Sequence, residues 1–451
     1  MDTLLTTLSN AFTAFFAFKA YVILPVIMLL LAFIARMRFK KALLAAIHVG
    51  AGFAGVFIVF SFFVAQISPA IESMIRLRSL AYPVIDIGWP PLAAITWSSA
   101  LTPLFLVAIM LLNVLMLVTG VTRNLYLDLW NYWHFAFLGV MVQSLTGSVL
   151  CAILATLAIA VFTIKTTEWS APYVKREMGL DGIAVSPLSV STFLPYSVAL
   201  DRLFDHIPGL KKLNWNPSVN RQKDSMVSLL SEPMIIGILV GVFLSFLAGY
   251  SLKQTLETAV NFAAVMFLLP QCGGLIGSGM GEISHAFKVL VEKRFPHMEN
   301  LSIAMDTGFL LTNPSVIATG LILMPLSILL AFILPGNRVI PLGDLPNLIS
   351  VISLTVLIMR GNVIRSVLAG IPIVATFMIF ASRLAPVFTA EAARSRVDMG
   401  TGSSEITAFT DGGNQLRFWV YNLFDGNWIA IAAIPVVLAL MIHAWRRSRA
   451  L

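Results

Sequence analysis

The chain has 451 residues, of which 58% are hydrophobic and 12% charged, with a formal net charge of +8. A soluble globular chain carries roughly 25% charged residues, so this one lacks the polar surface to clothe a large core in water. Its bases sit in short loops between apolar runs, which excludes an aromatic-interleaved nucleic-acid groove and points to a bilayer.

The apolar runs are long and continuous rather than alternating, so spanning helices are expected instead of a barrel. In chain order they cover Ala11–Ile34, Leu43–Gln66, Ala94–Thr119, Phe135–Ile164, Val185–Leu200, Met234–Leu252 and Leu256–Leu269. Ser315–Leu334, Leu348–Met359, Val363–Ala381 and Phe418–His443 follow. The first reads as a retained span, because Lys19 is the only base before its apolar stretch and no small-residue cleavage site is evident. A span needs about 20 residues, so Val185–Leu200, Leu256–Leu269 and Leu348–Met359 read as broken or re-entrant segments. The total is about eleven crossings.

Bases fix the orientation. Arg36, Arg38, Lys40 and Lys41 follow the first run, Arg202, Lys211, Lys212, Arg221 and Lys223 fill the central loop, and Arg446, Arg447 and Arg449 close the chain. With these inside, the N-terminus is outside and the C-terminus cytoplasmic. Arg394 and Arg396 then fall in an outside loop with Glu391, Asp398, Glu405 and Asp411.

Internal repetition sets the organisation. Asp128-Leu129-Trp130-Asn131 returns as Asp344-Leu345-Pro346-Asn347, 216 positions later, and Gly147-Ser148-Val149-Leu150 as Gly361-Asn362-Val363-Ile364, 214 later. Lys40, Leu43, Ala46 and His48 align with Lys253, Leu256, Ala259 and Asn261, and Ala171-Pro172 with Ala385-Pro386. An odd number of crossings per copy makes the copies inverted. The expected fold is an all-α polytopic membrane protein with re-entrant hairpins. A first five-helix repeat (1–201), a basic linker (202–231), a second inverted repeat (232–416) and an extra C-terminal helix with a basic tail (417–451) divide the chain.

Candidate binding residues follow from cost. A carboxylate at the bilayer centre costs about 2.5–3.5 kcal/mol on insertion scales, so Asp306 should face water or protein. Asn131 and His134 are three apart and share a helical face with Trp130, a pattern suited to a polyol: rings stack on C–H faces and amide and imidazole bond hydroxyls. An interfacial aromatic belt is the plainer reading, but a belt does not require the recurring Asp and Asn. Gln143 could line the same cavity. Asn313 before Pro314 marks a helix break that Asn can cap. Asp86 and Trp89 lie in a Gly/Pro-rich break, and Ser191 and Thr192 in a polar one; both read as re-entrant tips. His48 among Gly50, Gly52 and Gly55 reads first as packing, as do Gly273, Gly274, Gly277 and Gly281. Asp411-Gly412-Gly413-Asn414 reads as an outside turn.

Nucleotide and catalytic motifs are absent: no phosphate-binding P-loop, no GxSxG, no HExxH and no Rossmann fingerprint occurs. No cofactor is expected. Cys151 and Cys272 form no metal-type spacing, so no metal is expected either. Energy for transport must then come from an ion gradient or a partner.

The chain resembles the galactitol-type enzyme IIC, the permease component in the ascorbate–galactitol branch of the bacterial phosphotransferase system. The resemblance rests on Ile47-His48-Val49-Gly50, Val84-Ile85-Asp86-Ile87-Gly88-Trp89-Pro90, Thr122-Arg123, Asp128-Leu129-Trp130-Asn131, Trp133-His134, Ala248-Gly249-Tyr250, Pro335-Gly336-Asn337 and Leu342-Gly343-Asp344-Leu345. It implies a homodimer in the inner membrane whose core moves against a fixed dimerising part. It also implies a sugar released inward and phosphorylated by a cytosolic IIB phosphocysteine fed through IIA. The IIC chain itself carries no phosphate and no catalytic motif. Galactitol relatives tend to carry His in the stretch where this chain has Ser186-Pro187 and near Thr312-Asn313, so another polyol, pentitol or sugar is as well suited. The competing reading is an ion-coupled secondary transporter, in which Asp306, Asp128 or His134 would load the ion.

Overall fold

The computed structural model describes residues 20–77, 82–217, 232–294, 301–395 and 405–451. Arg221, Lys223, Arg396 and Asp398 lie outside these.

The first half opens with α1 (Ala20–Ile34) and α2 (Phe39–Leu77), then β1 (Val84–Asp86), α3 (Trp89–Ser98), α4 (Thr102–Val118) and β2 (Asn124–Leu125). A 3-10 turn at Leu129–Tyr132 leads into α5 (Trp133–Thr146), α6 (Val149–Met178), β3 (Ile183–Val185), α7 (Leu188–Ser191), α8 (Leu194–His206) and α9 (Pro208–Lys212). The second half has α10 (Pro233–Leu247), α11 (Leu252–Arg294), β4 (Ser302–Met305), a 3-10 turn (Thr307–Thr312) and α12 (Pro314–Ile333). After another 3-10 turn (Leu345–Asn347) come α13 (Leu348–Ile358), α14 (Val363–Ser395), β5 (Glu405–Thr407), α15 (Phe409–Gly412) and α16 (Gln415–Phe424). The chain closes with α17 (Trp428–Ala432) and α18 (Ile434–Ser448).

Among the described residues, six helical stretches are long and apolar enough to cross a membrane, or seven if α3 and α4, bent by 97°, form one broken span. Several apolar runs divide differently from the sequence expectation. Ala94–Thr119 bends at Ser99–Leu101, where Pro103 in the first turn of α4 brings no N–H and the Thr102 hydroxyl bonds back to the Thr96 carbonyl. Phe135–Ile164 breaks at Gly147, which takes φ +69° and ends α5, and Ser148 then caps α6. Leu256–Leu269 is no short segment, because α11 runs through it for 43 residues. The last run breaks at Asp425–Asn427, where Asn427 Oδ1 caps α17 by accepting from Ile429 N at 2.9 Å. Asn313 behaves as its sequence suggested: its Oδ1 accepts from Ser315 N at 2.9 Å and opens α12.

Helices α1, α2, α10 and α11 pack mainly on one another. At 1.5 Å per residue, the 39 residues of α2 reach about 58 Å, well beyond a hydrocarbon core of about 30 Å. Small residues let α2 and α11 approach: a Cβ on Gly52 would lie 2.6 Å from Ile276 Cγ1 and 2.8 Å from the Cys272 carbonyl.

The remaining helices surround two small parallel sheets that exchange strands between halves. β1 pairs with β5 (Val84↔Glu405, Asp86↔Thr407) and bridges to Val339. β4 lies between β2 and β3 (Leu125↔Ile303, Val185↔Met305). Non-helical backbone at membrane depth survives only when buried in protein; β3 and β4 are buried in every residue, and each of the other three strands has a single half-buried residue. Sequence patterning gave no sign of these strands, which are two to four residues long.

Candidate functional site

The ends of β1, β3, β4 and β5 point their following residues toward one region, and each does so with a polar side chain. Asp306 follows β4, Asp86 ends β1, Ser186 follows β3, and Thr410 and Asp411 follow β5. A cavity of about 90 Å³ opens there between the halves, lined by Trp89, Trp130, Asn131, Trp133, His134 and Asp306, with Asn347 and Asp411 at its far side.

One wall is aromatic. Trp89 stacks on Trp133 at 6.1 Å, and Trp130 stacks on Trp97 at 6.0 Å. Broad indole faces of this kind suit the C–H surfaces of a sugar or polyol. The polar part of the lining is built on Asn131. Its Nδ2 donates to Asp128 Oδ2 at 2.6 Å and to Asp306 Oδ2 at 2.8 Å. Both amide protons are thereby used, and the amide offers only its carbonyl to a ligand. The Ser186 hydroxyl also donates to Asp128, and the Thr307 hydroxyl to Asp306 Oδ1 at 3.3 Å. The carboxyl oxygens have lone pairs beyond these contacts with which to accept from a ligand's hydroxyls.

His134 forms the third element. Its Nδ1 lies 3.3 Å from Asp411 Oδ1 and 3.3 Å from Arg417 Nη2. Arg417 is fully buried, 5.3 Å from the Phe137 ring, and donates to the Asp411 backbone carbonyl. Asn347 Nδ2 completes the group, donating to Thr410 Oγ1 at 3.0 Å and Asp411 Oδ2 at 3.3 Å. Carboxylate, amide and imidazole therefore converge from both halves of the chain on one aromatic-walled space.

Of the residues nominated by sequence, the structure brings Trp89, Asn131, His134 and Asp306 together. Six others sit apart from the cavity lining. Asp86 is committed to backbone: Oδ1 accepts from Gly88 N (3.1 Å) and Phe409 N (3.0 Å), and Oδ2 from Leu342 N (2.8 Å) and Asp344 N (3.1 Å). It is a staple between the halves, helped by Gly343, whose Cβ would meet the Asp86 carbonyl at 2.8 Å. His48 is exposed on α2, 3.5 Å from Ser278 Oγ. Gln143 lies two turns beyond His134 on α5, on the half-exposed end of that helix. Asn313 caps α12. Ser191 and Thr192 end α7, and it is Ser189 and Val190 of that turn that reach the cavity.

Residues absent from the nominations are equally informative. Asp411, read as part of an outside turn, is buried beside His134. Asp344 accepts from Thr410 N at 2.9 Å, Asp411 N at 3.2 Å and the Thr410 hydroxyl. The repetition of Asp128/Asn131 as Asp344/Asn347 was the available signal for that pair. For Arg417 the signal was a charge abutting an apolar run. Among the described residues no cluster of three or more His, Cys, Asp or Glu is arranged to hold a metal.

Comparison with known proteins places the chain in a family. The EIIC-GAT family, described as the PTS system sugar-specific permease component, matches residues 14–402. The chain is 32% identical over 428 residues to an Escherichia coli (strain K12) protein designated only provisionally as a permease IIC component, covering 95% of this chain and 97% of that one. It is 30% identical over 433 residues to the galactitol-specific EIIC component of the phosphotransferase system of Escherichia coli (strain K12), covering 95% of this chain and 94% of that one. The same component of Escherichia coli O157:H7 matches equally. The chain belongs to the EIIC-GAT family and is a multi-pass membrane subunit for sugar transport in a phosphotransferase system.

Proposed function

We propose that the protein carries a galactitol-like polyol or sugar inward by alternating access and presents it to a cytosolic IIB component for phosphorylation, with IIA upstream. The observation that supports this reading is the cavity lined together by Asn131, Asp306 and His134 and by Trp89, Trp130 and Trp133, with the His134 ring stacked on Trp133 at 3.9 Å. Neutral and charge-assisted hydrogen bonds to hydroxyls, with indole faces beside them for the C–H surfaces, are what a polyol needs. Phosphorylation traps the product: a phosphoryl group adds about −1.5 to −2 charges at pH 7 and bars return through lipid.

In this reading the two halves are inverted five-helix repeats, 1–201 and 232–416, joined by the basic linker 202–231 and followed by the extra C-terminal segment. The recurring order of elements supports it: a long helix, a strand, a 3-10 turn, a helix, a second long helix, a strand and a one-turn helix occur in each half. The N-terminus is then outside and the C-terminus cytoplasmic, in line with the basic clusters at Arg36–Lys41 and Arg446–Arg449. A homodimer, with α1, α2, α10 and α11 as the stationary part, completes the proposal.

The test is a panel of labelled hexitols, pentitols and sugars offered to proteoliposomes with and without the cytosolic partners. Partner-dependent appearance of phosphorylated product inside supports the reading. Uptake of unmodified solute driven by a proton or sodium gradient with no partner present would replace it with ion-coupled transport. Asn131→Ala should abolish uptake in protein that still elutes as folded.

A further inference from the structure

A second cavity, of about 100 Å³, lies away from the sugar site where α6, α8, α13 and α18 end together. Arg176, Arg202, Arg360 and Arg447 line it with Tyr173 and Asp201. Arg176 is occupied: its Nη2 caps α13 through the Leu357 carbonyl at 2.7 Å, and its Nε pairs with Glu177. Asp201 and Asp205 share Arg365, at 3.3 and 2.9 Å. Arg202, Arg360 and Arg447 share the recess with Asp205 and Leu451; Arg360 is near enough to act on the Asp201 carboxylate, and none of the three has an ion pair within 4 Å among the described residues. Cations at helix C-termini are favoured by the helix dipole, which explains one arginine per helix. It does not explain why three from three different segments face a single recess.

The recess continues into an apolar surface. α18 carries exposed Val436 (61%), Leu438 and Ile442, and the apolar stretch Trp428–Ser448 that contains it is only 11% buried. Leu203 of α8 is exposed beside it. Trp445 lies at the same end, with the Arg449 guanidinium 4.7 Å from its ring, as at a lipid–water boundary. A ligand matching both parts has a phosphodiester head and acyl chains.

We propose that this recess binds the headgroup of an anionic phospholipid, with Arg202, Arg360 and Arg447 on the phosphate and the acyl chains along α18 and α8. Basic recesses between helix ends at a membrane surface have the charge and depth for such headgroups. The site is independent of the sugar cavity and of the transport reading.

Full-length protein in detergent is titrated with phosphatidylglycerol and with phosphatidylcholine of the same acyl length, and bound lipid is counted by native mass spectrometry. Phosphatidylglycerol should bind preferentially. Each arginine removed should weaken it about fivefold, so R202Q/R360Q/R447Q together should lose about a hundredfold, and the matching triple Lys variant should retain binding. If the triple Gln variant does not fold, R447Q alone should show the single step. Equal binding of both lipids, or an unchanged preference in the Gln variants, overturns the proposal. So does displacement of phosphatidylglycerol by equimolar inorganic phosphate, which would make this a free-anion site. Occupancy that vanishes only when cytosolic partners are added would instead make it a protein-docking surface.

Discussion

Asp86→Asn should destabilise the protein without touching sugar recognition, whereas Asp306→Asn should weaken sugar recognition itself. Each Asp86 oxygen accepts two backbone N–H groups, from Gly88 and Phe409 on one side and Leu342 and Asp344 on the other. An Asn side chain keeps one acceptor and turns an NH₂ toward the other two donors. Two hydrogen bonds to a charged group, at about 1.5–3 kcal/mol each, are lost, so the change costs about 3–6 kcal/mol. That is a large part of the roughly 5–15 kcal/mol that holds a folded domain together. The melting temperature in detergent should fall by roughly 3–6 °C, while the folded fraction binds sugar with unchanged affinity. Asp306 has Asn131 and Thr307 as its side-chain partners and lines the cavity. Its replacement turns an NH₂ toward one of these donors, so melting should fall as well, while sugar binding per folded molecule weakens about tenfold to a hundredfold, the loss of one charge-assisted hydrogen bond. Both variants are read by thermal melting and by labelled-polyol binding per folded molecule. If Asp86→Asn melts with the wild type, or loses sugar binding at an unchanged melting temperature, the staple assignment is wrong.

Trp89→Ala removes the ring stacked 6.1 Å from Trp133 and should raise the half-saturating sugar concentration roughly tenfold through lost stacking; unchanged affinity would place the sugar elsewhere. Gly52→Val forces a side chain into the Cys272 carbonyl and Ile276, so α2 and α11 must part at a cost of about 1–3 kcal/mol, visible as a lower melting temperature. Arg417→Gln leaves buried Asp411 without its nearest guanidinium and should cost about 3–5 kcal/mol, with partial recovery in Arg417→Lys; wild-type melting of the Gln variant would show that the guanidinium is dispensable.

The legible part of the site was the part written as polar residues in apolar surroundings. Asn131, His134 and Asp306 stood out because insertion of such groups into hydrocarbon is costly, and they meet in the cavity. The same argument selected Asp86 and could not say what satisfies it, since two of its donors come from more than 250 residues away and a third from Phe409, farther still. Asp411 was misplaced for a related reason: its Gly-rich neighbourhood looks like a surface turn until α15 is seen packed against α14 and α3.

Composition, run length and the positions of the bases determined that this is a helical membrane chain, because the bilayer leaves few other structures for a sequence so poor in charge. The recurrence of Asp128/Asn131 as Asp344/Asn347 was also legible in the sequence. Tertiary structure alone decided where continuous apolar runs break, since single residues such as Gly147 and Pro103 redirect the backbone without changing hydropathy. It also decided that strands of two to four residues cross between halves, because their hydrogen bonds are long-range and leave no periodic trace in so short a stretch. Those exchanged strands, and not any local motif, bring Asp306 to within 2.8 Å of Asn131 across 175 residues of sequence.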